Sequence, residues 1–319
     1  MKNLFVHLRV HSNFSLAEGM LSFDYLSEFC KKNNQPAIAI TDTSNMFGVL
    51  EFSIKMVSNG IQPIIGIQVN ISGSINFENN IGEVVLIAKN EIGYKNLLVL
   101  ASEMATNSKF EKFITFENLK NYNDGIILLT GGTENGFIGK PASLGNIKLV
   151  NERLKILKEL FDDNLYVELQ RHGIRSQFNA EKLLLDISEK LNLPLVATND
   201  CFFENVNKFN AHQVLTCIDK GLTISSNNRR LLTREHYLKD TKKMISLFED
   251  IPEAIENTIV IAQRCSFFVK THEPMLPKFP GLKNISENEY LSNISKKGLM
   301  KRFQISMKKF SQHEKETYQ

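Results

Sequence analysis

The chain has no tryptophan, from which nothing follows, and only four cysteines in 319 residues. Cys30, Cys201, Cys217 and Cys265 lie far apart, with no Cys-x-x-Cys pair. That spacing excludes a disulfide frame and a zinc knuckle, and it reads as reduced thiols in a cytosolic protein. No stretch reaches the roughly 18 apolar residues of a membrane span, so no membrane contact is expected. A signal peptide needs an uninterrupted apolar run near the N-terminus, and His7, Arg9 and His11 interrupt it. Charge of one sign is missing too. The 38 basic and 35 acidic side chains leave +3, too little to mark a nucleic-acid binder by itself. The apolar 42% and charged 23% are ordinary for a globular protein. The length suits one large domain with a smaller piece attached.

The stretch 5–19 organises the rest. Leu4, Val6, Leu8 and Val10 alternate with Phe5, His7, Arg9 and His11 at the period of a strand. His7, Arg9 and His11 would then share one face. That suits a metal site at a barrel mouth, or equally a half-buried strand with a polar inner face. The spacing alone does not choose. Similar apolar runs follow at 37–41, 63–71, 83–88, 125–130, 165–169 and 193–198. Helical patterns lie between or after them at 23–32, 45–58, 91–104, 116–122, 146–161, 177–191 and 206–218. Strand alternating with helix predicts parallel strands and right-handed crossovers. The expected fold is α/β: a distorted seven-stranded (β/α)7 TIM-like barrel, with an open doubly wound sheet as the alternative. Chemistry would sit at the carboxyl ends of the strands.

Beyond the seventh run the rhythm changes. Residues 229–264 read as helical, and prolines at 274, 277 and 280 exclude a helix from the connector at 271–285. A basic amphipathic helix is expected over about 286–310, carrying Lys296, Lys297, Lys301, Arg302, Lys308 and Lys309. The final polar run, 312–319, creates the expectation of a piece of something longer.

The strand ends offer His11; Asp42 and Thr43; Gln68; Glu83 and Lys89; Gly131 and Gly132; Gln170, Arg171 and His172; Asn199, Asp200 and Phe202. A zinc or manganese cluster would show more His, Asp, Glu or Cys groups than this. Three other features invite function and are weighed against it. Residues 131–141 look like a phosphate loop, but Glu134 and Pro141 break that pattern. His172 suits a loop cap better than a catalytic base, and His212 suits a packed helix face. The basic run at 296–309 is a solvated face that could also approach DNA phosphates, but it lacks interleaved aromatics.

Several motifs together carry a resemblance. Residues 5–19, Ala39-Ile-Thr-Asp-Thr-Ser-Asn-Met-Phe-Gly48 and Pro63-Ile-Ile-Gly-Ile-Gln are followed by Leu86-Ile-Ala-Lys-Asn-Glu-Ile-Gly-Tyr-Lys-Asn-Leu97. Val167-Glu-Leu-Gln-Arg-His-Gly173 and Leu195-Val-Ala-Thr-Asn-Asp200 complete the set. The series resembles a PHP (polymerase and histidinol phosphatase) domain. In order and spacing it resembles the N-terminal part of the bacterial DNA polymerase III alpha subunit family, the C-family replicative polymerases. The likeness runs through Leu247-Phe-Glu-Asp-Ile-Pro-Glu-Ala and Leu276-Pro-Lys-Phe-Pro to the last basic helix.

The resemblance implies a PHP barrel over 1–270, a connector over 271–285 and the start of a polymerase palm over 286–319. An intact family site would hold a His-x-His pair, of which Arg9 replaces the first member and His11 remains. Glu18 can stand for the acidic ligand. Thr43, Gln68, Glu83 and Gly132 occupy the positions of a His, a Glu, a His and a Cys, and the closing pair is Asp200 with Phe202. Only His11, Glu18 and Asp200 could hold a vestigial metal. Arg9 is expected to pair with Asp200 or Glu18 and make the cavity structural. The implied parent chain is a DNA-directed DNA polymerase using Mg2+ at aspartates beyond residue 319. The expected role of this piece is to brace the polymerase core, to dock the proofreading exonuclease subunit and to join other holoenzyme subunits, with DNA met through the parent chain. No catalytic residue and no cofactor are expected in residues 1–319. The rival reading is a metal-dependent phosphoesterase, acting as an exonuclease or a pyrophosphatase.

Overall fold

The computed structural model describes residues 4–72, 81–107, 113–226, 232–275, 277, 279–280, 282 and 285–307. It divides into two units, Met1–Lys270 and Thr271–Gln319. In the first, a curled, mixed seven-stranded sheet forms a half-barrel. Its strands are β1 (Ala37–Ile40), β2 (Gln62–Ser72), β3 (Ile81–Ala88), β4 (Ile114–Thr115), β5 (Ile126–Leu129), β6 (Leu165–Gln170) and β7 (Leu195–Thr198). The order is β1-β2-β3-β5-β6-β7, with β4 paired to β2.

The helices are α1 (Phe23–Lys32), α2 (Val49–Ser58), α3 (Glu91–Asn107), α4 (Phe116–Asn121), α5 (Gly139–Ser143), α6 (Ile147–Phe161) and α7 (Arg175–Leu191). After β7 come α8 (Phe209–Asp219), α9 (Thr241–Leu247) and α10 (Pro252–Arg264). Local chemistry starts several of them. The side chains of Ser22, Thr115, Asn146 and Asp240 accept hydrogen bonds from backbone N–H groups in the first turns of α1, α4, α6 and α9. Pro252 opens α10, where its missing N–H costs nothing.

Two details differ from an all-parallel barrel. β3 runs antiparallel to both neighbours, pairing Ile87 with Gly66 on β2 and Val85 with Leu129 on β5. Its apolar residues read the same in either direction, so the sequence carries no sign of this. Secondly, residues 4–10 form no ladder, only a bridge from Val10 to Cys201. The segment still lies between two edges: Ala39 and Thr41 donate to the carbonyls of His7 and Val10, and Cys201 donates to that of Arg9. The seventh strand is instead β4, immediately before the helical pattern expected over 116–122.

Side-chain alternation divides the core into two layers. One layer, with Ile38, Ile40, Ile65, Ile67, Leu86 and Leu128, packs under the helices. The other, with Ile64, Val85, Ile87, Ile127, Leu129, Tyr166 and Val196, fills the concave face above α10.

In the second unit α11 (Glu287–Met307) is helical as expected, but without a single apolar face: Leu291, Leu299 and Met300 all stay more than half exposed. Its expected end at 308–310, with Lys308 and Lys309, and the polar run 312–319 lie outside the described residues.

Candidate functional site

On the concave face the apolar layer ends in polar residues at the mouth. The same alternation that buries Ile64, Val85, Tyr166 and Val196 presents Gln68, Glu83, Glu168 and Asp200 there. Glu83 stands near the start of its strand, yet the antiparallel course of β3 brings it to the carboxyl ends of the parallel strands. For the same reason Lys89 leaves the mouth for the opposite end, where it donates to Asn164 at 2.8 Å.

Arg9 fills the centre, 2% exposed. Its Nη1 donates to Glu168 Oε1 at 3.1 Å and its Nη2 to Gln68 Oε1 at 2.6 Å. Glu83 Oε2 lies 3.3 Å from Nη2. Asp200 Oδ1 lies 2.9 Å from Nε, an ion pair at contact distance. Burial opposes the charge on Arg9, but Asp200, Glu168 and Glu83 outweigh it and hold the pKa above the ordinary arginine value. The guanidinium is a fixed cation.

Beside it, His11 Nε2 lies 2.8 Å from Asp200 Oδ1, while Nδ1 is 3.2 Å from Ser15 Oγ and 3.3 Å from Thr43 Oγ1. The Phe202 ring stacks on the imidazole at 4.2 Å. Thr43 donates to Glu18 Oε2 at 2.8 Å, so Glu18 faces Thr43. Of the two partners expected for Arg9, the structure places Asp200 against it. Asp42, behind them, accepts from Ser12 N, Ser12 Oγ and Ser15 Oγ at 2.6–2.8 Å. Its pKa is raised by burial, and those hydrogen bonds oppose the shift.

The structure thus gathers Arg9, His11, Glu18, Thr43, Gln68, Glu83, Asp200 and Phe202. Gly132 stands one layer back. A Cβ there would meet Gln170 Oε1 at 2.2 Å, and Gln170 in turn donates to Glu168 Oε1 at 2.8 Å. Among the described residues, no group of three or more His, Cys, Asp or Glu side chains could hold a metal ion. His7 does not join Arg9 and His11, although the alternation groups them. Its Nε2 donates to the Lys239 carbonyl at 2.7 Å, and its ring packs against Phe5 and Phe29. Without a ladder over 4–10, nothing enforces strict alternation.

The features weighed against function have structural partners. Gln177 clasps His172, accepting from its backbone N–H at 2.6 Å and meeting Nδ1 at 2.8 Å. Burial and the neighbouring His236 lower the His172 pKa well below the ordinary value. His212 is buried with Nε2 2.7 Å from the Glu18 carbonyl. In the glycine-rich stretch, Gly131 takes a φ of +81° where a Cβ would meet the Glu83 carbonyl at 2.2 Å. Those glycines serve close backbone packing.

Residues 7–172 match the family model of the PHP domain. This chain belongs to the PHP domain family. The match to curated relatives runs further. The DNA polymerase III subunit alpha of Rickettsia bellii is 39% identical over 311 residues, 97% of this chain and 26% of that protein. Those of Caulobacter vibrioides and Haemophilus influenzae are 36% and 34% identical over 306 and 300 residues, 94% and 93% of this chain. The chain therefore spans about a quarter of the relatives it matches, corresponding to their N-terminal region. An amidohydrolase structure from Chromobacterium violaceum is similar with a TM-score of 0.39 and 11% identity, over 62% of this chain and 87% of that one. A likeness that distant carries no functional inference.

Reasoning from sequence missed one central residue of this PHP mouth. Glu168 is buried, accepts from Arg9, Gln170, Thr198 and the Gly131 N–H, and balances the guanidinium. Its signal was present: one carboxylate inside the apolar run 165–169, two residues before Gln170. Buried carboxylates are rare unless paired. Lys239, fully buried with Nζ 3.0 Å from Asn199 Oδ1, was missed in the same way.

Proposed function

We propose that this chain is the PHP-domain part of a DNA polymerase III alpha subunit whose barrel mouth is held by an internal ion-pair cluster and performs no hydrolysis. Its work is to brace the polymerase core and to dock the separate proofreading exonuclease subunit, with DNA synthesis carried out by the parent chain. The observation that carries this reading is Arg9. A guanidinium at contact distance from Glu83, Glu168 and Asp200 occupies the space and uses the carboxylates that a metal cluster would need. Zinc requires at least three deprotonated, oriented protein ligands. The donors left over, His11 and Glu18, are engaged with Asp200 and Thr43. Such a set does not fit a metal cluster.

Two assays test the proposal. Purified chain with Mn2+ and either single-stranded DNA or pyrophosphate should release no more product than its Asp200→Asn variant. Turnover that the substitution abolishes supports a phosphoesterase instead. Association with the exonuclease subunit should be measurable at micromolar concentration, and its absence there removes the docking role.

A further inference from the structure

Away from the mouth, α1 and the segments 204–205 and 237–240 enclose an open groove of about 400 Å3. Tyr25 and Phe29, one turn apart on α1, and Tyr237 on the opposite wall give it three half-buried aromatic rings. Glu28, Glu204 and Asp240 also line it, with the ammonium of Lys32, and the buried Lys239 Nζ already lies 4.6 Å from the Tyr237 ring centroid. Neither Glu28 nor Glu204 forms an ion pair among the described residues. Burial and Glu204 raise the Tyr25 pKa, and burial with Glu235 and Asp240 raises that of Tyr237.

We infer that this groove binds an extended basic peptide segment of a partner protein, seating arginine or lysine side chains against the rings of Tyr25 and Phe29 and the carboxylates of Glu28, Glu204 and Asp240. Aromatic faces attract cations, guanidinium above all, and nearby carboxylates add to the same field. The excess of negative charge repels phosphate, so the occupant is protein and not nucleic acid. Its volume falls in the range of pockets that hold a ligand-sized group. This site is separate from the Arg9 cluster and does not depend on how the mouth is read.

The test is a nuclear magnetic resonance titration of the 15N-labelled 319-residue chain with acetyl-Arg-Lys-Arg-amide. Amide shifts should concentrate at 25–33, 204–205 and 237–240. In the Glu28→Gln/Glu204→Gln variant the dissociation constant should rise about ten-fold. Both are surface side chains, and an unchanged spectrum away from the groove shows that the variant is folded. A dT12 oligonucleotide should leave the same amides unmoved. Shifts scattered over other acidic surfaces, equal binding by the variant, or movement of these amides by the oligonucleotide would overturn the inference.

Discussion

Replacing Arg9 by methionine keeps a long apolar stem but leaves Glu83, Glu168 and Asp200 facing one another without a cation. Glu168 and Asp200 are 2% and 6% exposed, so water does little to relieve them. Removing one partner from a buried ion pair costs about 3–5 kcal/mol, and Arg9→Met should lower the urea-unfolding free energy by that order. A loss under about 1 kcal/mol would mean that the cluster contributes nothing structural. His7 gives a second measurement at this scale. Burial, aided by the charge on Lys239, lowers its pKa from 6.5 to about 4. Above pH 6.5 both folded and unfolded chains leave it neutral. Below that the unfolded chain takes up a proton the folded chain refuses, so stability falls until about pH 4, by about 3 kcal/mol in all. His172, also shifted down, acts in the same direction. Unfolding free energies at pH 7.5, 5.5 and 4.5 should show the fall, and His7→Gln should flatten it.

At the scale of elements, strands β5 and β6 are fitted to each other through Gly132 and Gln170. Gly132→Ala puts a methyl group 2.2 Å from an amide oxygen whose Nε2 is tied to Glu168. Overpacking of this kind costs about 1–3 kcal/mol. Paired with Gln170→Ala, the cost should fall short of the sum by about 1 kcal/mol, which a double-mutant cycle by thermal unfolding would measure. Strict additivity would mean that the side chain simply moves aside. Much of this architecture is legible in the sequence. Six of the seven apolar runs became strands, α1 spans the 23–32 expected of it, and the motif series led to the PHP family. Other features left no mark. Strand direction is not written in a run such as Val84-Val-Leu-Ile, so the reversal of β3 and the arrival of Glu83 at the mouth stayed hidden. Strand alternation also misplaced His7, because residues 4–10 bond to both edges without forming a ladder. Buried charges are the hardest to read, since Glu168 and Lys239 find partners far away in the chain.

Across the whole molecule, every buried hydrophobic cluster among the described residues lies between Phe5 and Val269. A chain truncated after Lys270 should therefore fold and keep its thermal midpoint, as followed by circular dichroism. A clearly lower midpoint would show that residues beyond 270 contribute to the core. The mouth enclosed by that core carries the central claim, that one guanidinium stands where metal ions would otherwise sit. Anomalous diffraction from crystals soaked in Zn2+ or Mn2+ tests it most directly. The expected result is no ordered ion at the mouth, with Arg9 still against Glu83, Glu168 and Asp200. Strong anomalous density ligated by His11, Glu18 and Asp200, with Arg9 turned to solvent, would contradict it.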